Sequence, residues 1–287
     1  MLSQKSRGTR VPTLSQATHT YYKRRLNGLT SADNYLKTMR IIIKILGDKP
    51  VNKIGVTDVN KLIDYLVQKK RKNSTINSYK GRLETTLREM VQAGYIEPLI
   101  PTKNLREGDK DIHILNPDME DKLIYKFKEL DFLLHKQISL IGLETGLRWC
   151  EMFEVRKRNI DLNYGQVTIE SRKNYTQLTI PLTEKAASLI YDHLGFCDDN
   201  DKVFPFDNKW KYAGWNIARR DLGYEKTEWY VPHITRHTAC TRMLQKGVPL
   251  PVVSNWLGHK SIAVTMRYAH FVPSIMNQYK ELSLIHI

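Results

Sequence analysis

The chain has 287 residues, of which 41% are apolar and 26% charged, with a formal net charge of +15. That balance excludes a disordered chain, and no apolar run approaches the ~20 residues a bilayer span requires, so a globular, cytoplasmic protein is expected. Cys150, Cys197 and Cys240 are three in number with no CxxC spacing, which excludes a disulfide framework and a four-cysteine zinc site.

The charge is unevenly placed. Residues 1–108 hold 21 Lys/Arg against 8 Asp/Glu, whereas residues 109–287 hold 24 against 22. This predicts a basic module that grips a polyanion, joined to a more neutral one. A membrane surface fits less well, since no helix pairs a basic face with a Trp/Phe-rich one.

In chain order, residues 1–12 read as a basic arm with Gly8 and Pro12. A helix is predicted from about Leu14 to Leu26, ending near Gly28. Ser31 can cap a second, with Tyr35, Leu36, Met39, Ile42, Ile43 and Leu46 at helical spacing before Gly47 and Pro50. Thr57 can cap a third (Val59, Leu62, Ile63, Leu66, Val67), which runs out into Lys69, Lys70, Arg71 and Lys72, cations suited to a helix C-terminus. Ser74 opens a fourth (Ile76, Tyr79, Leu83, Leu87, Met90, Val91) that stops at Gly94. Residues 13–96 are thus expected to form a four-helix unit with outward cations, Lys80 and Arg82 among them, as the polyanion-contacting set. Residues 97–111 read as a linker.

The second domain, 112–287, opens at Asn116-Pro117, a cap followed by proline at the first helical position. Its helix to about Lys128 leads to an apolar one from Phe132 to Thr145 that halts at Gly146, and a helix resumes after Arg148. Strands Gln166–Glu170 and Gln177–Leu182 flank the basic tip Ser171–Thr176 as a hairpin. Helices follow over about Glu184–Leu194, Asn208–Leu222, His233–Lys246, Pro251–Trp256 and from Ile262. The apolar end, 282–287, reads either as a docking tail or as an added scar.

The chemistry-bearing residues concentrate late. His233-Ile-Thr-Arg236-His237 is followed by Trp256-Leu-Gly-His259, and nine residues later by Tyr268-Ala-His270. A phenol near its ordinary pKa of ~10 is about one part in a thousand ionised at neutral pH, so a nucleophilic Tyr268 needs neighbours that take its proton or favour its anion. Phosphoryl transfer also builds negative charge on equatorial oxygens, which fixed cationic donors offset. Arg148 and Arg236 are candidates because guanidinium grips two phosphate oxygens at once. Glu151, three residues on, can orient Arg148, or the two form an ordinary surface pair. Lys173, on the hairpin tip, can protonate a departing alkoxide. His233, His237 and Cys240 share a helix face and could alternatively hold a metal, but Arg236 would place a cation among the ligands.

Thr145-Gly-Leu-Arg148-Trp-Cys-Glu151, Ser171-Arg-Lys173 before Leu178-Thr-Ile-Pro-Leu, His233-Ile-Thr-Arg236-His237, Trp256-Leu-Gly-His259 and Tyr268-Ala-His270 together resemble the tyrosine recombinase (phage-integrase) family. The resemblance covers about Ile112 to Lys280, and the N-terminal unit is similar to the family's core-binding domain on architectural grounds. It implies a mainly α fold with a small β-hairpin: a helical SAM-like core-binding domain and a catalytic domain of the DNA breaking-rejoining type. It further implies that Tyr268 attacks a scissile phosphate to give a 3′-phosphotyrosyl link. Arg148, Arg236 and His259 would hold the non-bridging oxygens, Lys173 would protonate the 5′-oxygen and His233 would assist at the nucleophile. Glu151 and His237 would support from behind.

No metal, ATP or other cofactor is implied. The expected partners are double-stranded DNA, three further copies in a homotetramer on recombination sites, and an accessory directionality protein, with the enzyme associated with the nucleoid. Only a dozen residues precede the first predicted helix, so a simple short-core-site enzyme is expected. A type IB-like topoisomerase and a DNA-binding protein with an inactive site are the alternative readings.

Overall fold

The computed structural model describes residues 10–29, 31–98, 102–108, 111–170, 177–195 and 197–271. Its contacts divide the chain into two units, Met1–Lys110 and Asp111–Ile287.

The first unit is built from α1 (Leu14–Tyr21), α2 (Ala32–Leu46), α3 (Val56–Gln68) and α4 (Asn73–Gln92). Thr13 starts α1 through a capping box: its hydroxyl accepts from the Gln16 amide, and the Gln16 side chain accepts from the Thr13 amide at 3.0 Å. The end of the predicted first helix widens into a π-helical turn, Tyr22–Leu26. Arg24 and Arg25 of that turn reach back 3.2 and 3.1 Å to the buried Glu89 carboxylate on α4. Tyr35, Met39, Ile42 and Leu46 of α2 are buried with Val59, Leu62 and Leu66 of α3 and with Ile76, Leu83, Leu87 and Met90 of α4. Each set recurs at three- or four-residue steps, so each helix gives one face to a shared core.

Of three predicted caps, Ser31 keeps the N-cap position of α2 and the other two are replaced. Ser31 makes no side-chain cap bond. The α3 N-terminus is closed at Gly55, whose amide donates to Asp58 at 3.1 Å, not by Thr57. Lys72 is the N-cap of α4, which places Ser74 inside the first turn. At the other end of α3, Lys70 takes the left-handed conformation (φ 53°). The Arg71 amide returns to the Leu66 carbonyl at 3.0 Å, a closure usually given to glycine.

The expected linker is partly ordered onto its own unit. Asn77 donates to the Leu105 carbonyl and accepts from the Leu105 amide, both at 2.9 Å. Asn73 donates to Arg106 O at 2.7 Å, Lys80 to Thr102 O, and the Thr102 hydroxyl to Glu84 at 3.1 Å. Asn73, Asn77, Lys80 and Glu84 lie along one helical face, and residues 102–106 run beside it. This corrects the expectation for Lys80: its ammonium is buried under the returning chain, and is not an outward cation. Arg82 likewise turns to the Asn34 carbonyl (3.1 Å) and the Thr38 hydroxyl of α2. Lys69, Lys70, Arg71 and Lys72 are exposed.

The second unit contains α5 (Pro117–Glu129), α6 (Leu133–Thr145), α7 (Trp149–Met152), β1 (Ile160–Asp161), β2 (Gln166–Glu170), β3 (Gln177–Pro181), α8 (Glu184–Leu194), α9 (Ala213–Asp221), α10 (Ile234–Gln245), α11 (Leu250–Trp256) and α12 (Ile262–Met266). Asn116 caps α5 through the Met119 amide at 2.8 Å, with Pro117 at the first helical position. The three strands are antiparallel in the order β1-β2-β3, pairing Val167 with Ile180 and Ile169 with Leu178. The two-residue β1 extends the expected hairpin into a sheet, and the tip Ser171–Thr176 lies outside the described residues. Helix α9 starts at Ala213, five residues later than predicted; turns occupy 208–212. The core joins Phe127, Ile138, Trp149, Phe153, Trp215 and Tyr230 to the inner face of the sheet. Helix α6 packs against α10 and α8, which carries Arg148, just past the end of α6, to the side of Arg236.

Candidate active site

Helix α6 ends at Gly146, whose left-handed backbone (φ 71°) turns the chain sharply. The Thr145 hydroxyl caps the Leu147 amide at 3.2 Å, and Arg148 becomes the N-cap of α7. Glu151 accepts from both ends of Arg148: from its amide at 3.0 Å and its guanidinium at 2.6 Å. That pair fixes the direction of a partly exposed cation.

Arg236, on α10, is only 2% exposed. Its Nη1 donates to the Gly146 carbonyl at 2.8 Å and its Nη2 to the Leu257 carbonyl at 2.5 Å. One guanidinium therefore ties the turn after α6 to the end of α11. The indole of Trp256 adds a second tie, donating to Thr145 O at 2.9 Å. A Cβ on Gly146 would strike Leu257, and one on Gly258 (φ 62°) would come within 2.7 Å of Leu178 on β3. Glycine at both places lets the His259 turn lie against α6 and the sheet.

His259 follows that turn, and its Nδ1 lies 2.7 Å from the Thr265 hydroxyl on α12. Tyr268 is 4% exposed, packed with Cys240, Leu244, Val253 and Leu257. Its hydroxyl is 2.5 Å from Nδ1 of His237. His233 meets the His237 ring edge-on, with centroids 4.8 Å apart. The residue touching the nucleophile candidate is thus His237, and His233, expected to assist there, stands behind it.

The electrostatics show how closely these groups converge. Burial first, then Cys240, pushes the Tyr268 phenol up to about 12, with Arg236, Arg267 and Arg148 opposing. Burial lowers His259 to about 4, helped by Arg236 and Arg148. Burial and then Arg236 lower His237 to about 4. His233 is lowered by burial and then by His237, Arg236 and Arg148. Its ring is crowded by protein although the residue as a whole is open to solvent, and the imidazole is neutral at pH 7. Even Arg236 falls to about 10, from burial and Arg148. Such shifts describe two guanidinium groups and three neutral imidazoles crowded into a buried site, with the Glu151 carboxylate opposing them.

Of the expected site, the structure brings together Arg148, Glu151, His233, Arg236, His237, His259 and Tyr268. Lys173 lies outside the described residues. Among the described residues no group of three or more His, Cys, Asp or Glu is placed to hold a metal ion, so the His233–His237–Cys240 alternative has no geometric support. Arg267 and Thr265 were not singled out in the sequence. Arg267 is signalled only by its place beside Tyr268, and Thr265 by nothing in the local pattern.

Residues 115–274 match the model of the phage integrase family, and the chain belongs to that family. A tyrosine recombinase of Thermosipho africanus is 26% identical over 248 residues, covering 82% of this chain and 87% of that protein. The integrase of Escherichia phage 186 is 26% identical over 217 residues, covering 74% and 61%. Among solved structures, the Tn1549 transposon integrase in complex with a circular intermediate DNA superposes with a TM-score of 0.72 at 18% identity, covering 90% of this chain and 95% of that one. A lambda integrase dimer bound to a core site gives 0.67 at 17%, covering 89% and 95%. At these identities the superpositions establish the shared fold. No helix among the described residues is long and apolar enough to cross a membrane.

Proposed function

We propose that the chain is a site-specific DNA recombinase that cleaves and rejoins strands through a 3′-phosphotyrosyl intermediate. The observation carrying this reading is the contact between Tyr268 and His237, with the charges of Arg236 and Arg148 acting on the same phenol. The Tyr268 oxygen forms a bond to phosphorus while the bond from phosphorus to the 5′-oxygen breaks. The phenol's proton passes to His237, and Lys173 returns one to the departing 5′-oxygen. Arg148, Arg236 and His259 offset the charge that grows on the non-bridging oxygens. With the phenol near 12 and the imidazole near 4, the free chain keeps Tyr268 protonated. Transfer is then coupled to bond formation, which acidifies the phenol as its oxygen joins phosphorus.

One phosphate ester is exchanged for another, so a second 5′-hydroxyl can reverse the step without ATP or a metal. The first unit, with Lys69, Lys70, Arg71 and Lys72 exposed at the end of α3, would hold the duplex through its phosphates, giving affinity that falls steeply with salt. Exchange between two duplexes requires four cleavages and hence a homotetramer on DNA, with a directionality protein as a further partner. Because Tyr268 is seated against His237 of its own chain, each protomer would cut the strand it binds.

The test starts from a DNA site obtained by binding-site selection and nicked beside the cleavage point. Wild type should accumulate a covalent adduct and Tyr268→Phe should form none. An adduct with the Phe variant rejects the nucleophile. Relaxation of supercoiled plasmids lacking the site would favour the topoisomerase reading instead.

A further inference from the structure

We propose that Thr265 is a positioning residue that sets the tautomer of His259, making it a hydrogen-bond donor toward the scissile phosphate; this rests on the recombinase reading above. Thr265 is fully buried on α12, and its hydroxyl lies 2.7 Å from His259 Nδ1. Its carbonyl accepts from the Tyr268 amide at 3.0 Å. One residue therefore touches the phosphate-binding imidazole with its side chain and the nucleophile's backbone with its main chain.

The direction of the side-chain bond follows from hydrogen-bond accounting. A neutral imidazole has one N–H and one lone pair, on either nitrogen. If His259 carried its proton on Nδ1, Thr265 would accept, and the threonine's own O–H would face the core unpaired. Among the described residues that hydroxyl has no other partner. An unmade bond from a buried donor costs its full desolvation, and a spare lone pair on a hydroxyl oxygen costs less. Thr265 therefore donates to Nδ1, and the proton of His259 sits on Nε2. Among the described residues Nε2 has no hydrogen-bond partner. The electrostatic influence of Arg236 and Arg148 on the ring places it at the donor cluster. The opposite tautomer would present a lone pair to a phosphate oxygen and repel it. The same hydroxyl can rotate to accept from Nδ1–H once His259 is charged, so the contact survives both states.

Thr265→Val keeps the shape and removes the hydroxyl, and Thr265→Ser restores it. On the nicked selected-site duplex, Thr265→Val should slow single-turnover adduct formation by roughly 10- to 100-fold with little change in DNA affinity. Thr265→Ser should recover most of the rate. Combined with His259→Ala, Thr265→Val should cause no further loss, because its effect runs through that ring. Nitrogen-15 NMR of histidine-labelled protein, assigned by the His259→Ala difference, should show Nε2 protonated in wild type and a tautomer mixture in Thr265→Val. A wild-type rate in Thr265→Val, additive losses in the double variant, or protonation on Nδ1 would each overturn the assignment. Those outcomes are distinct from failure of the recombinase reading, in which wild type itself forms no adduct.

Discussion

The hydroxyl of Tyr268 and Nδ1 of His237 stand 2.5 Å apart, closer than the usual spacing for a neutral pair. Both residues belong to the same unit, His237 on α10 and Tyr268 packed against that helix, so the contact belongs to the fold of this chain. It distinguishes His237 from His233, one turn earlier on the same helix face. We expect His237→Gln to slow single-turnover adduct formation by about 100-fold, in the range usual for a lost proton acceptor. His233→Gln should cost less than about tenfold. Equal losses, or the reverse order, in quench-flow measurements would return the acceptor role to His233.

The histidines also predict how the second unit responds to acid. His237 and His259 are lowered from 6.5 to about 4 in the folded chain, chiefly by burial, and burial likewise lowers His135 and His193. Between pH 6.5 and about 4 the unfolded chain binds protons at His237 and His259 and the folded chain does not, and His135 and His193 act in the same direction. Their contribution to stability is therefore complete above about 6.5 and is lost progressively as the pH falls to about 4. Thermal unfolding followed across that window should show a steadily falling midpoint. Replacing His237 by Gln should flatten the fall, and a slope unchanged by that substitution would contradict the assignment.

Gly146 and Gly165 offer a controlled comparison. Both have positive φ (71° and 58°), but a Cβ on Gly146 meets Leu257 whereas one on Gly165 meets nothing within 4 Å. Gly165→Ala should cost about 1 kcal/mol of stability from backbone strain alone. Gly146→Ala adds overpacking and should cost roughly 2–4 kcal/mol. It also shifts Arg148 and the carbonyl that Arg236 grips, so adduct formation should fall with it. Urea denaturation of the two variants separates strain from packing.

Lys70 carries opposing demands. Its left-handed backbone strains a residue with a Cβ, so Lys70→Gly should stabilise the chain by about 1 kcal/mol in denaturant titrations. The same substitution removes a cation proposed to meet phosphate. Affinity for DNA should drop, and the salt dependence of log K should shallow by about one unit. An unchanged slope would remove Lys70 from the DNA surface.

The contrast between His237 and Lys80 shows what a linear reading reaches. Local signals were legible: Asn116-Pro117 opens α5 as expected, Gly146 ends α6, and the alternation in Gln166–Glu170 makes a strand. The helix faces followed from apolar spacing. Partners fixed by distant chain did not. Asp58 in place of Thr57 closes α3, because several nearby side chains can satisfy the same free amides. Lys80 faces inward because residues 102–106 return over it, an event absent from the local pattern. His233 and His237 are one turn apart, so spacing alone does not rank them; the resemblance put His233 at the nucleophile, whereas the fold puts His237 in contact with it. The two residues of β1 are too few to carry any alternation.

Arg236 joins carbonyls that lie 90 and 21 residues from it along the chain. Neither bond can close until the end of α6 and the end of α11 have both arrived at α10. A nascent or partly melted chain that still holds duplex through its basic helices would therefore carry no assembled blade. For a protein proposed to cut DNA, this makes cleavage conditional on a folded second unit.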